Sequence, residues 1–536
     1  MEDRDLVFYD KISPVFNKKK CRIPTPGFCP KCRMQRRMAW RTREYFFRPC
    51  GLTGKNCLSI YPPDAEVVTY SPEAFFGDGW DGLSLGMDFD FSRPFFEQFY
   101  ELYRKAPKNT ANARMNENCE YIINAHGNKD CYLVDEIDKS RDCIYGYNIQ
   151  YCTDIVNGFY VRDSELCLEI QQAANCYGML FSHNVYNCSN SAFLLNCRSA
   201  KNCLFCVNLR SAEYCIFNNK VTKEEFKKAW NDLFDGSYLT FENAKRKFDD
   251  FVKMQSLPAA VKVKTESSSG DYLFNTKDCY DSFNIDHCRD CSFCTDIHYS
   301  RDAYDVHIYE GELMYESLHA GPKAYNNIGI ILCWFSNDIY YSCELHNCSN
   351  MFGCSSLKNK KYCILNKQYT KEKYFELVPR IIEHMQKTGE WGEFFPVRFS
   401  PYGYDQTMAA FYWPLTEERA REEGFNWRNP SDGWGPVSEG KLPDRLENFT
   451  DDMLELVFRS ADSEKPYKII AKELTFHRRF NIPLPRLTPR ERTMNFIKQN
   501  PRLLIERECS KCGKAVQTTL SEHDIIYCED CYIKFV

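Results

Sequence analysis

The chain has 536 residues, a net charge of −5 and 29 cysteines. That length carries about two to four domains with real cores, and the near-neutral balance excludes a uniformly basic nucleic-acid coat. No window holds the roughly 18 uninterrupted apolar residues of a membrane helix, and the N-terminus "MEDRDLVFYDKISPVF" lacks the basic and apolar blocks of a secretory signal.

The expected location is therefore the cytoplasm or an intracellular particle, not the secreted compartment. There thiols stay reduced, so the cysteines read as metal ligands or buried packing groups rather than a disulfide framework. They fall into four groups: five between Cys21 and Cys57, eleven between Cys119 and Cys215, nine between Cys279 and Cys363, and four between Cys509 and Cys531.

Residues 1–75 read as a basic zinc-ribbon-like unit. Eleven Lys or Arg and one acid, Glu44, lie between Lys18 and Arg48. Cys29-x2-Cys32 is one knuckle, and its partners come from Cys50 and Cys57, with Cys21 as a spare, which leaves the fourth ligand open. "CGLTGK" (Cys50–Lys55) matches "CSKCGK" (Cys509–Lys514) with Thr53 in place of the second cysteine. The alternative is a decayed ribbon held by packing alone. Arg33, Arg36, Arg37, Arg41 and Arg43 interleave with Trp40, Tyr45 and Phe46, a composition suited to phosphates and bases. The competing reading pairs these arginines with the chain's own acids, such as Asp78, Asp81, Asp88 and Asp90.

A helical connector is expected over 76–118, then two cysteine-rich copies at 119–255 and 272–388, separated by a linker at 256–271. A shift of 148 residues aligns "KDCYLVDEIDKSRDC" with "KDCYDSFNIDHCRDC" and "CVNLRSAEYCIFNNKVTKEEF" with "CSSLKNKKYCILNKQYTKEKY", without a gap over the 98 positions from Lys129 to Phe226. This is an internal duplication. Cys131 to Cys152, Cys167 to Cys188 and Cys176 to Cys197 are each 21 residues apart, read as about one turn. The runs between are short, β-prone and broken by polar residues, so the expected fold is mainly β with helical additions: a duplicated cysteine-rich β-solenoid flanked by N- and C-terminal zinc-ribbon units. Cysteine, small and mildly apolar, suits its interior, and Asn175, Asn187, Asn196 and Asn202 suit side-chain ladders at its corners. Thr222 and Glu225 form a capping box for a helix closing the first copy; Thr370 caps the second without the box, because Lys373 stands at the matching place. "HCRDCSFC" (His287–Cys294) lacks the fourth cysteine and proline of an iron–sulfur run, and Cys203-x2-Cys206 lacks a βαβ setting; packing is the better reading of both.

Residues 389–505 form a mixed basic and aromatic region, in which Glu390, Glu393 and Asp405 are the acids an enzyme of unknown class would use. No phosphate loop, nucleophile elbow or zinc-protease motif occurs. At 506–536, Cys509-x2-Cys512 and Cys528-x2-Cys531 have the spacing of a closed structural zinc site.

Several segments together carry a resemblance: "CPKCRMQRRMAWRTRE" with "CGLTGK", "DFDFSRPFFEQFYELYRKAP", the cysteine repeats, "GEWGEFFP", "SPYGYDQT", "FNIPLPRLTPRER" and "CSKCGKAVQTT…YCEDCY". Over nearly its whole length the chain resembles an uncharacterised family of cysteine-rich zinc-ribbon proteins abundant in candidate-phyla-radiation bacteria and environmental genomes. The resemblance implies no activity. It implies a further cysteine knuckle ahead of "KPYKIIAKEL" (Lys465–Leu474), which this chain lacks, so a unit there would hold without metal. The expected function is a non-enzymatic scaffold with one or two zinc ions that binds nucleic acid or a ribonucleoprotein through its basic ends. The alternatives are a protein-interaction component of a particle and an enzyme.

Overall fold

The computed structural model describes residues 2–429 and 438–536. Two long sheets dominate it, one of eleven strands from Ala113–Arg114 to Asn219–Lys220 and one of fourteen from Lys262–Val263 to Lys367–Gln368. In the first, consecutive strands up to Glu213–Ile216 pair in parallel with partners twelve residues on, as Ile144 with Val156, Val156 with Leu168, Leu168 with Leu180 and Leu180 with Ala192, and a short antiparallel hairpin to Asn219–Lys220 ends the sheet. The pairing step is thus twelve residues. The 21-residue cysteine spacing is not one turn but seven units of three.

The unit of three is set by the backbone. From Asp130 to Phe217 every third residue is left-handed, with φ between +46° and +63°. Such a conformation costs an L-residue about 1 kcal/mol, least for Asn and Asp, and these recur at the corners. The corner amides are paired one turn back: Asp142 N–H donates to Lys129 O at 3.1 Å and Asp154 N–H to Arg141 O at 3.1 Å.

The residue after most corners is buried, and this is where the cysteines stand: Cys131, Cys143, Cys152, Cys167, Cys176 and Cys188 share these positions with Val134, Ile137, Ile149 and Val161. Each thiol also reaches carbonyls; Cys152 donates to Gln150 O at 3.1 Å and Val161 O at 3.5 Å. Burial pushes the Cys152 and Cys176 thiols up to about 12, which suits packing and not ligation. Cys288, Cys291 and Cys294 are enclosed in the same way in the second sheet. Amide ladders form at Asn184, Asn196 and Asn208, at 3.0 and 2.7 Å.

The two sheets lie side by side in opposite sense. His183 meets the Tyr272 hydroxyl at 2.7 Å, Arg502 bridges the Tyr160 hydroxyl and Asp296, and His319 lies 3.4 Å from Glu136. Numbers rise along one sheet as they fall along the other. Thr222 caps the helix Lys223–Leu233 with the full box, and Thr370 caps Lys371–Thr388 without it. The stretch read as a linker is structured: Ser256–Pro258 pairs with Ile525–Tyr527, and Lys262–Val263 opens the second sheet.

Candidate functional site

The C-terminal thiols are brought together by two local devices. The hairpin Ile505–Glu508 and Ala515–Thr518 ends in a tight loop, where Cys509 N–H donates to Lys514 O and Gly513 N–H to Cys509 O, both at 2.9 Å. Gly513 takes φ +74°, which glycine adopts without strain. Cys528 then caps the short helix Glu529–Ile533, placing Cys531 one turn in. The four sulfur atoms lie within 4.8 Å of one another. Desolvation opposes ionisation of Cys509, but the N–H groups of Cys528, Lys511 and Cys512 outweigh it and bring the thiol down to about 6. Four convergent thiols, one already primed as thiolate, fit a tetrahedral metal ion and leave no open position for substrate.

The other expected ligands do not converge. Cys29 caps the helix Pro30–Met38, with its sulfur 3.3 Å from that of Cys32. Cys50 sits on the loop between Phe46–Pro49 and Asn56–Ser59, and the Cys57 thiol donates to Arg48 O at 3.4 Å. Among the described residues the C-terminal four are the only group of three or more candidate ligands within 4.8 Å. Of the eight expected ligands the C-terminal four converge and Cys29 and Cys32 lie side by side, while Cys50 and Cys57 contact backbone groups; Cys21 is buried in the aromatic core.

The arginines expected to face nucleic acid are, except Arg36, buried. Arg33 donates to Asp305 at 2.9 Å. Arg37 lies 2.7 Å from Glu316 and 3.0 Å from Asp305. Arg41 pairs with Glu136 and with Asp135, the latter at 3.3 Å, and Arg43 stacks 3.4 Å over the Tyr147 ring. Trp40 packs on Tyr103 and Phe395, and Arg36 reaches Glu393 at 2.9 Å. A guanidinium enclosed this way is turned onto carboxylates and rings of the chain itself and away from the surface. The arginines bolt the two sheets together, since Asp135 and Glu136 belong to the first and Asp305 and Glu316 to the second. The internal-pairing alternative named the wrong acids: Asp81 and Asp88 pair with Lys360 and Lys367.

The acids of the supposed catalytic region also have structural partners. Glu390 accepts from Phe95 N–H and Phe96 N–H at 2.9 and 2.7 Å, capping the helix Phe95–Lys105, and Asp405 accepts from Arg428 N–H at 3.0 Å.

One feature escaped sequence reasoning because its residues lie far apart in the chain. Where the first sheet begins and the second ends, a cleft of about 1370 Å³ opens between them. Arg114 lies 3.1 Å over the Phe76 ring, and the Lys139 ammonium is 5.3 Å from the Tyr151 ring centre. Lys358 is held by Phe75 O and Gly77 O at 2.7 and 2.9 Å. Tyr151 and Phe335, on opposite sides, are 48% and 51% exposed. Glu73 and Asp138 are the carboxylates in the lining, and burial lifts Asp138 to about 6. Among the described residues no helix is long and apolar enough to cross a membrane. No family model and no curated protein matches this chain.

Proposed function

We propose that the chain is a non-enzymatic scaffold of two duplicated β-solenoids, stabilised by one zinc ion, that binds single-stranded nucleic acid in the cleft between them. The observation that carries the binding site is the cleft itself, whose lining holds the exposed rings of Tyr151 and Phe335 and the cations Arg114, Lys139 and Lys358. Stacking on exposed rings contributes about 1–3 kcal/mol per base, and cations along the same groove track the backbone. The solenoid reading rests on the twelve-residue parallel step with its three-residue corners. Duplication rests on the gapless 148-residue alignment. Zinc is the ion best suited to four thiolates in a closed tetrahedral set. All 29 cysteines are free thiols, which supports the cytoplasm as the working compartment.

The test is fluorescence anisotropy with labelled oligouridylate and oligothymidylate against the full chain. The expected result is binding that weakens as salt rises and that falls at least about tenfold in Y151A/F335A, two rings at roughly 1 kcal/mol each being enough. No binding at low salt sinks the reading. A second reading, a docking face for a protein, draws on the exposure of Met115 (80%) beside Phe335; it predicts no affinity for either oligonucleotide.

A further inference from the structure

The metal-binding hairpin at the C-terminus has two counterparts in the chain, recognisable by hydrogen bonds rather than cysteines. In the C-terminal loop Cys509 N–H donates to Lys514 O, Gly513 N–H to Cys509 O and Ser510 N–H to Ile526 O, at 2.9, 2.9 and 2.8 Å. In the loop Cys50 to Lys55, Cys50 N–H donates to Lys55 O, Gly54 N–H to Cys50 O and Gly51 N–H to Thr69 O, at 2.8, 2.8 and 2.7 Å. In the loop Ser460 to Lys465, Ser460 N–H donates to Lys465 O, Glu464 N–H to Ser460 O and Ala461 N–H to Arg486 O, at 3.0, 3.2 and 2.9 Å. The fifth residue of each loop is left-handed: Gly513 at +74°, Gly54 at +70° and Glu464 at +61°. Each loop joins an antiparallel hairpin, closed by Glu508 with Ala515, Pro49 with Asn56, and Arg459 with Pro466.

The second halves also correspond. Two residues after the long-range acceptor, the chain turns into a helix capped by Cys528, Ser71 or Thr488. The positions held by Cys509, Cys512, Cys528 and Cys531 are therefore held by Cys50, Thr53, Ser71 and Ala74 in the first unit, and by Ser460, Ser463, Thr488 and Glu491 in the middle one. One sulfur contact survives in the first: Ser71 N–H donates to Cys50 Sγ at 3.4 Å, as Cys528 N–H does to Cys509 Sγ at 3.2 Å. In the middle unit the Glu491 carboxylate accepts from Ser460 Oγ at 2.6 Å and from Thr488 N–H at 2.7 Å, while Glu491 N–H donates to Thr488 Oγ1 at 3.1 Å.

We infer that the chain holds three ribbon units of which only the last takes a metal ion, and that in the middle unit the Glu491 carboxylate joins the two knuckles where the ion would otherwise sit. A metal site links its halves by four strong bonds to one centre. An anionic oxygen accepting from both halves does the same with fewer and weaker bonds, and needs no ion. The three-residue spacing within each knuckle is kept because it brings both side chains of a pair to one point, whatever atom occupies it. In the first unit neither a metal set nor such a carboxylate remains, and the backbone hydrogen bonds hold the loop.

The test is metal content of the full chain purified in reducing buffer with zinc supplied. The native chain should hold one ion, C512S/C531S none, and S460C/S463C/T488C/E491C two. If the quadruple variant does not fold, T53C/S71C/A74C, which rebuilds the first unit around Cys50, provides the same reading. Two ions in the native chain overturn the inference. So does a folded rebuilt variant that still holds one.

Discussion

The Arg37 guanidinium donates to the Glu316 carboxylate at 2.7 Å, with the two side chains 1% and 3% exposed. One belongs to the helix Pro30–Met38 and the other to the second sheet, so this ion pair fastens the N-terminal segment into the body of the protein. Removing one partner strands a buried charge. Arg37→Ala should cost about 3–5 kcal/mol, read as a lower urea midpoint; an unchanged midpoint would show that the pair contributes nothing.

Burial lifts Glu344 to about 7 against the pull of Lys108. A carboxyl whose folded pKa is raised binds its proton more tightly in the native state. Its contribution is full below the ordinary value of 4.5 and is lost as pH rises toward 7. Stability should therefore fall between about pH 4.5 and 7 on account of this group, and Glu344→Gln should flatten that slope. A slope unaltered by the substitution would assign the dependence elsewhere.

Inward positions of the sheets take serine as well as cysteine. Ser164 Oγ accepts from Cys176 N–H at 3.1 Å, so Cys176→Ser should cost no more than about 1 kcal/mol in urea denaturation. Cys176→Leu overpacks the narrow interior and should cost about 1–3 kcal/mol or more. The reverse ranking would mean that the interior is wider than the twelve-residue turn implies.

Tyr532, one residue past Cys531, accepts from Asn196 Nδ2 at 2.6 Å and donates to Asn208 Oδ1 at 2.9 Å. The ribbon thereby docks on the first sheet. If the four thiols hold an ion as proposed, its chelation should speed amide exchange across 505–533 while leaving Cys131 to Val207 protected, because those amides are paired within the sheet. Loss of protection along the whole sheet would make the ion a global rather than a local support.

If the cleft takes single-stranded nucleic acid as proposed, the Asp138 carboxylate would oppose its phosphates, and burial lifts that carboxyl to about 6. Oligonucleotide affinity should rise as pH falls from about 7.5 to 6. Asp138→Asn should tighten binding at pH 7.5 and reduce the dependence. Equal pH profiles for the two proteins would remove Asp138 from the site.

Much of this protein is local and therefore legible in one dimension. The Thr222 and Thr370 caps and the Cys509 loop with Gly513 each depend on residues a few positions apart, where bond geometry leaves few options. The three-residue period was legible too, since every third residue from Cys119 to Cys215 is small or apolar, but the 21-residue cysteine spacing masks it by skipping inward positions filled with Val, Ile, Ser, Ala or Gly.

The fate of the arginines was of another kind. A guanidinium has the same chemistry before a foreign phosphate as before an internal carboxylate, and sequence offers both. The partners of Arg41 lie 94 and 95 positions away, and those of Arg33 and Arg37 lie 272 and 279 away. Only the antiparallel placement of the two sheets brings Asp135, Glu136, Asp305 and Glu316 around one short segment. The same placement opens the cleft at one end, from residues that no local pattern connects.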